Sequence, residues 1–385
     1  MDWCRYSDII LYIPMNCLGV FIIEKYHLRF CVITGSLILL LGTFLRLAIL
    51  FDGFSIWWWY FGHIVSLGSS VFLKIPASKI ANSWFGEKER SFALAIGQIS
   101  SGCGYFISKV LTIWMFDDRD KVDEGGNSIE ETTFKFKTFI LFQCILIFIF
   151  ATPSLIFMKD EPDKVSNKEY RKKIKEYQSL PEAARDCFNN RDYVLIFIYF
   201  QCANTVSIYN SQIEPFTNQY NVSLKSQMQS QMYNSVAGIV ASLYYGKWLD
   251  KNQRFKKAQL VVTLLIISAI SLTFLVLHFN APEPAFILVS IFAGVPTAAI
   301  TLVSQRFISE VAKPVSEVQS ISLMNMANKV VSLVLIRATS MLTCDTPTHI
   351  RFMHGFILWV ALPVAGLVPA AMVRGSRKGK RIGKY

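Results

Sequence analysis

The chain has 385 residues, of which 52% are apolar and only 17% are charged, and its mean hydropathy is +0.37. A soluble domain cannot bury so large an apolar share, so the composition excludes an ordinary soluble protein and indicates a membrane protein. The net charge of +12 would suit nucleic-acid binding only if the basic residues formed one patch, and they are instead spread over many loops.

The apolar residues are grouped in runs of about 20 that alternate with polar loops. Because a helix rises 1.5 Å per residue, a run of this length crosses the roughly 30 Å hydrocarbon core of a bilayer. The pattern therefore predicts an all-α polytopic membrane protein with about eleven transmembrane helices. The predicted spans lie at 8–23, 30–51, 56–78, 91–114, 138–157, 193–216, 228–245, 258–278, 285–305, 317–341 and 352–373.

The Lys and Arg residues of the loops are divided unequally between the two sides of the predicted membrane. Segments on one side carry 27 of them, and segments on the other side carry 7. Cytoplasmic loops hold the excess of basic residues in membrane proteins, so we expect a multi-pass protein with a cytoplasmic C-terminus. The lipid bilayer, rather than nucleic acid, is then the partner that explains the charge, and the choice between plasma and internal membrane stays open. The basic segments are 24–29, 79–90, 158–192, 246–257, 306–316 and 374–385.

The longest basic loop divides the predicted spans into two groups. Residues 1–157 hold five spans, residues 158–192 form a polar linker, residues 193–373 hold six spans, and residues 374–385 form a basic tail. Two helical bundles joined by a cytoplasmic linker are the plan of the major facilitator fold, which has six helices in each half. The first half of this sequence is one helix short of that plan.

Two loops share a glycine, an acid and a following basic residue, and they lie at equivalent places in the two halves. Both resemble the loop that joins the second and third helices in each half of the major facilitator fold. The acid can cap or pair with a neighbouring helix end and so brace one conformation, whereas a single copy would read as an ordinary charged turn. The first predicted span is then helix two, and helix one is expected to be absent from this sequence. The signature residues are Gly19, Glu24 and Arg29 in one loop and Gly246, Asp250 and Arg254 in the other.

Several motifs resemble one facilitator family in particular. The segment from Ser78 to Glu89, the pair Asp2-Trp3, and the stretches 246–250 and 317–325 resemble the corresponding parts of the feline leukaemia virus subgroup C receptor family. The resemblance covers nearly the whole chain and implies a twelve-helix facilitator of the kind that moves choline, ethanolamine or haem. In that family Asp2-Trp3 would mark the start of helix two, which agrees with the missing first helix.

Polar residues inside predicted spans are the expected substrate contacts, because an ionisable group at the bilayer centre is costly unless it has a function. Lys329 and Asn325 lie four residues apart and share a helix face, and the resemblance places that face in the transport cavity, with Lys329 where the family has a glutamine. Tyr209 falls within about one residue of the family's cavity tyrosine. The predicted cavity residues are Lys329, Asn325, Tyr209, Gln98 and Lys74.

Glu214 lies near the outer end of its span and is predicted to be an outer gate or ion-pair residue. The sequence shows no metal-ligand spacing, no glycine-rich phosphate loop and no nucleophile beside a base. We therefore expect a protein that is not an enzyme and that has no cofactor and no metal.

Three functions remain open at this stage. The first is transport of a small anionic or zwitterionic organic solute by alternating access, since Lys329 would attract a negative group. The second is transport of choline, ethanolamine or haem, as in the resembled family, with Lys329 paired to a carboxylate. The third is a non-transporting receptor or accessory membrane subunit. Oligomeric state and coupling ion have no signal in the sequence.

Overall fold

A computed structural model describes residues 2–51, 56–116, 128–160, 178–211, 217, 222–343 and 349–374, and the regular elements in these ranges are all helices. A short 3₁₀ helix, Leu47–Leu50, follows the second α-helix. The α-helices are α1 Asp2–Lys25, α2 His27–Arg46, α3 Ile56–Lys74, α4 Pro76–Trp84, α5 Arg90–Phe116, α6 Ser128–Phe157, α7 Leu180–Asn189, α8 Arg191–Ala203, α9 Thr205–Ser211, α10 Leu224–Asn252, α11 Phe255–His278, α12 Glu283–Val311, α13 Glu317–Thr343 and α14 His349–Met372.

The predicted spans coincide with these helices, so the prediction of an all-α polytopic membrane protein is confirmed. Among the described residues, eight segments are long and apolar enough to cross a membrane. The predicted spans at 91–114, 193–216 and 228–245 correspond to α5, the pair α8–α9 and α10, which do not reach that length or apolarity. The eight segments are Ser7–Lys25, His27–Leu50, Ile56–Trp84, Thr133–Phe157, Phe255–His278, Glu283–Val311, Glu317–Met341 and His354–Met372.

The predicted span 193–216 is not one continuous helix, which corrects the sequence prediction. Helix α8 ends at Ala203, Asn204 forms a turn, and α9 begins at Thr205. At the break the Ser207 N–H donates to the Asn204 carbonyl at 3.1 Å, three residues back, so the hydrogen-bond ladder tightens locally. Residues 193–211 contain neither proline nor glycine, so the break has no simple signal in the sequence.

The chain divides into two compact units. Unit one contains residues 1–84 and 110–180, and unit two contains residues 85–109 and 181–385. The change of unit at residue 180 falls inside the predicted linker, while the first part of α5 belongs to unit two. The division into bundles at 1–157 and 193–373 remains a prediction from the sequence.

In unit one, α2 and α3 form a hairpin whose axes approach closely at glycines. A Cβ atom added to Gly62 would lie 2.7 Å from the backbone N of Arg46 and 2.7 Å from the backbone O of Gly42. A Cβ on Gly35 would lie 2.6 Å from the Cβ of Phe72. Small residues at such crossings allow helix backbones to pack without a hydrophobic driving force, as membrane helices require.

In unit two, α10 and α12 pack in the same way. A Cβ on Gly294 would overlap the backbone O of Asn234, and a Cβ on Gly238 would lie 3.3 Å from the Cβ of Ala298. The Asn234 side chain donates to the backbone O of Ser290 at 2.9 Å across this crossing. The crossing fixes α10, and with it the signature residues at the end of α10.

Candidate functional site

Polar side chains of unit two connect the α8–α9 break with α13. The Asn204 amide donates to Asn328 Oδ1 at 3.0 Å, and the Asn328 amide donates to Gln201 Oε1 at 3.3 Å. Gln201 Nε2 donates in turn to the backbone O of Met324 at 3.1 Å. We call Gln201, Asn204 and Asn328 the amide network. Because unsatisfied polar groups are costly inside a membrane, these mutual bonds hold α8 against α13.

Two of the predicted cavity residues lie on α13 beside the amide network. Lys329 directly follows Asn328, and Asn325 lies one turn earlier on the face that Lys329 shares. Both side chains are half-buried, and Lys329 is near the middle of the 27-residue helix. Lys329 and Asn328 are neighbours in the chain and point to different faces of α13, and the role of Lys329 and Asn325 as solute contacts remains a prediction.

Gln98, another predicted cavity residue, contacts a different helix of the same unit. Its Nε2 group donates to Oε1 of Gln305 on α12 at 2.9 Å. Two turns further along α5, the Tyr105 hydroxyl donates to Oε1 of Gln231 on α10 at 2.9 Å. A side-chain amide that is paired with another amide can exchange that partner for a polar solute with little loss of hydrogen bonding.

Tyr209, which sequence analysis places in the cavity, lies in the interior of unit two in this structure. Only 1% of its surface is exposed, and its ring lies 5.9 Å from Phe356 and 5.7 Å from Trp359. The next residue, Asn210, donates to Thr297 Oγ1 at 3.0 Å. Tyr209 therefore contacts α14 here, and contact with a solute would require α9 to move.

The remaining predicted cavity and gate residues are not part of these groups. Lys74 is the last residue of α3, in unit one, and its side chain is exposed at the junction with α4. Pro76 begins α4 and lacks a backbone N–H, which interrupts the helix beside Lys74. Glu214 lies outside the described residues.

The second copy of the loop signature has a defined structural role. Both carboxylate oxygens of Asp250, near the end of α10, accept backbone N–H groups of α5, from Ser91 at 2.9 Å and from Phe92 at 2.8 Å. These two amides lie in the first turn of α5, where no intrahelical acceptor exists. A negative group at this position also complements the positive end of the helix dipole.

Gly246 allows that contact by letting α5 approach α10. A Cβ atom on Gly246 would lie 2.9 Å from the Cβ of Ala95 and 3.1 Å from the Cα of Phe92. Arg254, the third member of this signature, is exposed at the start of α11. Gly246 thus allows the close approach of α5, and Asp250 binds its first turn.

A second charged side chain, Arg306 on α12, also binds the start of α5, and sequence analysis did not identify it. Its Nε donates to Ser91 Oγ at 3.1 Å, and its guanidinium lies 3.5 Å from the Glu310 carboxylate. Arg306 is only 5% exposed, and the opposite oxygen of Glu310 pairs with Lys313 at 2.8 Å. In the sequence Arg306 counts only as one more cation of a basic segment, which is why it was missed.

The first copy of the signature lies in a different arrangement within unit one. A Cβ atom on Gly19 would lie 3.6 Å from Val71 Cγ1 on α3 and 3.1 Å from Ile75 Cδ1 directly after it, so this glycine lets α3 approach closely. Glu24 acts electrostatically on Lys79, whose ammonium group donates to the backbone O of Ile23 at 2.7 Å. The Arg29 side chain is exposed, while its backbone N–H donates to the Asp160 carboxylate at 2.7 Å.

Among the residues that the structure describes, no three His, Cys, Asp or Glu side chains are grouped as a metal site would require. The polar residues of unit two can instead form hydrogen bonds and charge interactions with a small solute.

Long apolar helices and close glycine crossings indicate a multi-pass integral membrane protein. A sequence model of the Major Facilitator Superfamily matches residues 8–336, so the chain belongs to this superfamily. Membership of a transporter superfamily agrees with the expectation that the protein is not an enzyme.

The chain also resembles transporters of the expected receptor family. It is 23% identical over 90% of its length to the choline/ethanolamine transporter FLVCR1 of Felis catus. It is 23% identical over 87% of its length to the choline/ethanolamine transporter FLVCR2 of Homo sapiens. The chain spans 61% and 63% of the lengths of these two relatives.

Solved transporter structures share the fold. The xylose transporter XylE from E. coli, in a partially occluded inward-open conformation, aligns with a TM-score of 0.65 at 12% identity, over 100% of this chain and 88% of XylE. The human organic anion transporter MFSD10 aligns with a TM-score of 0.62 at 11% identity, over 96% of this chain and 82% of MFSD10. Likenesses at such low identity establish the fold and leave the solute open.

Proposed function

We propose that this protein moves a small organic solute across a membrane by alternating access, and that α13 supplies its principal solute contacts. The observation that carries the proposal is the half-buried Lys329 in the middle of α13, on the helix that also carries Asn325 and the Asn328 of the amide network. A cation at this depth is costly unless it has a function, and amide groups beside it can donate to and accept from a polar solute.

The solute that fits these residues best is anionic or zwitterionic. A lysine ammonium group can donate three hydrogen bonds and attracts a negative group, which suits a carboxylate. Asn325, one turn away, can bind the same group, while Gln98 can exchange its bond to Gln305 for a solute contact. Tyr209 completes the proposed set in unit two and would become accessible in another conformation of the cycle. Lys74 of unit one is proposed separately as a solute contact, and Glu214 is proposed as a gate residue.

Choline or ethanolamine is the second proposed solute class, because the curated relatives FLVCR1 and FLVCR2 are named as choline/ethanolamine transporters. A quaternary ammonium group is repelled by an unpaired lysine, so this alternative requires a carboxylate near Lys329. The two classes therefore make opposite predictions for removal of the Lys329 charge.

We further propose that the C-terminus and the basic loops face the cytoplasm. The support is the excess of Lys and Arg in those loops over the loops of the other side. Asp250 would then bind the start of α5 on the cytoplasmic side and stabilise one conformation of the transport cycle.

Uptake into proteoliposomes tests the proposed function and its solute class. The purified chain is assayed with radiolabelled choline, ethanolamine, a zwitterionic betaine and a set of small carboxylates. If the solute is anionic or zwitterionic, Lys329→Gln should lower its uptake at least about tenfold, equivalent to about 1.4 kcal/mol of lost interaction, whereas Lys329→Arg should retain most of it. Equal uptake by Lys329→Gln and the wild type would remove Lys329 from the site.

Lys257→Gln is the matched control, because it removes a lysine of the same unit whose side chain is exposed near the start of α11. Choline uptake that rises in Lys329→Gln would favour the second solute class. Thermal unfolding in detergent addresses the receptor alternative, since a transporter that binds its solute is stabilised in a saturable manner. Absence of any saturable shift and of any uptake would contradict transport itself.

A further inference from the structure

Unit one contains a group of polar and aromatic side chains that the proposed solute site does not use. The imidazole of His63 on α3 stacks on the indole of Trp59 one turn earlier, with ring centroids 5.4 Å apart and parallel planes. The guanidinium of Arg46, at the end of α2, lies over the indole of Trp59, 5.7 Å from the ring centroid. We call Asp8, Arg46, Trp59 and His63 the His63 cluster.

Arg46 is held in a fixed position within the cluster. Its Nη2 group donates to Oε1 of Gln143 on α6 at 2.8 Å. Gly62 permits this arrangement, because a Cβ atom there would lie 2.8 Å from Cγ of Arg46. The hydrogen bond and the ring contact together orient the charge of Arg46 beside the stack rather than in open water.

Helix α1 brings Asp8 to the same level as His63. The two helices pack side by side, since a Cβ on Gly68 would contact Met15 and Leu11 and a Cβ on Gly19 would contact Ile75. This register places the first turns of α1 beside the first turns of α3. Asp8 and Arg46 both act electrostatically on His63.

Among the described residues, three helices near His63 carry charged or titratable groups, of which Asp8 and Arg46 act on His63 itself. Helix α1 contributes Asp8 and, one turn later, Tyr12, which is only 8% exposed, and α2 contributes Arg46. Helix α6 contributes Cys144, which acts on Arg46, and carries Lys135 and Lys137 on either side of Phe136, whose ring lies 6.2 Å from Trp59.

We propose that His63 and Asp8 form a proton-binding site in unit one, with Arg46 as a fixed positive charge beside it. Histidine is the side chain whose charge changes near neutral pH, and titratable groups within membrane helices characteristically bind or relay protons. Neutral His63 takes one proton from a hydronium ion: an N–H bond forms at a ring nitrogen, one O–H bond of the hydronium ion breaks, and a water molecule is released. The combined charge of Asp8, Arg46 and His63 rises from 0 to +1.

Asp8 and Arg46 act on a charged His63 in opposite senses, and partial burial of His63 also disfavours its charged form. The Asp8 carboxylate stabilises the imidazolium, while Arg46 opposes it. The site depends only on residues of unit one and would exist whichever solute unit two binds.

Tryptophan fluorescence of the purified chain in detergent tests the proposal without any solute, because an imidazolium stacked on an indole quenches its emission. Between pH 8 and pH 5 the wild type should lose intensity in one sigmoidal step. His63→Gln should lack the step, and Trp59→Phe should lack it because the reporter is gone. Asp8→Asn should retain the step with its midpoint lowered by about one pH unit.

His278→Gln provides a matched control. His278 also stacks on an aromatic side chain, Phe274, with centroids 5.4 Å apart, but that partner is not tryptophan. The control should therefore show the wild-type step. A His63→Gln titration that matches the wild type, or an unchanged midpoint in Asp8→Asn, overturns the proposal. If His63→Gln does not fold by circular dichroism, Trp59→Phe and Asp8→Asn still decide the question.

Discussion

Replacing Asp250 by alanine should release the first turn of α5 from α10. The carboxylate accepts the Ser91 and Phe92 N–H groups at 2.9 and 2.8 Å, and it is half-buried. In the variant these two amides lose their acceptor and the helix loses a negative group at its positive end. Loss of a helix-capping acceptor costs about 0.5–2 kcal/mol, and an acid at a partly buried helix start contributes up to about 2 kcal/mol. Because the two terms describe overlapping interactions, we expect a loss of about 2 kcal/mol.

Hydrogen exchange measures this loss directly at the affected amides. A local free-energy loss of about 2 kcal/mol corresponds to roughly 30-fold faster exchange of the peptide that contains Ser91 and Phe92. Peptides from α13 and α14 should exchange as in the wild type. Asp250→Asn should give a smaller acceleration, because the amide oxygen retains one acceptor without the charge.

Glu87→Gln is the charge-matched control for this experiment, because Glu87 is an exposed acid just before α5. It removes one negative charge from the same region without removing a hydrogen bond to Ser91 or Phe92. If Asp250→Ala and Glu87→Gln accelerate exchange equally, the effect is one of long-range charge, and the capping role assigned to Asp250 is refuted.

Three further predictions concern packing, the amide network and thiol chemistry. Gly294→Ala should lower the melting temperature by several degrees, because its Cβ would overlap the α10 backbone. Gly104→Ala is the control: no atom lies within 4 Å of its added Cβ, so the melting temperature should stay unchanged or rise slightly. Equal effects of the two substitutions on the melting temperature would contradict the close crossing. Asn328→Leu should cost about 1–3 kcal/mol, because it leaves two amide partners on α8 and its turn unsatisfied, and a melting curve that matches the wild type would argue against the network. Burial raises the pKa of Cys187 on α7 to about 11. A maleimide at pH 8 should therefore leave this thiol unmodified in the folded protein and react with it only after unfolding. Mass spectrometry of the peptide that contains Cys187 measures the modification.

The sequence was sufficient for the helices and for the class of protein, and less so for the site. The glycine and acid of the signature were recognisable because they recur in two loops, yet the residues that Asp250 binds lie 159 and 158 positions away in the chain. Arg306 could not be distinguished from other loop cations, because its function depends on contact with Ser91. The break at Asn204 was not predictable either, since residues 193–211 contain neither proline nor glycine and the partner of the Asn204 side chain lies 124 positions away.

The sequence by itself determined that the chain is a multi-pass helical membrane protein of the facilitator type. That information is local, because an apolar run of about 20 residues satisfies its own backbone as a helix and prefers lipid wherever it lies in the chain. Only the tertiary structure decided which polar residues meet, from the amide network beside Lys329 to the α5 start that Asp250 and Arg306 share. Polar groups inside a membrane must find partners, and the choice among partners distant in sequence is made by helix packing.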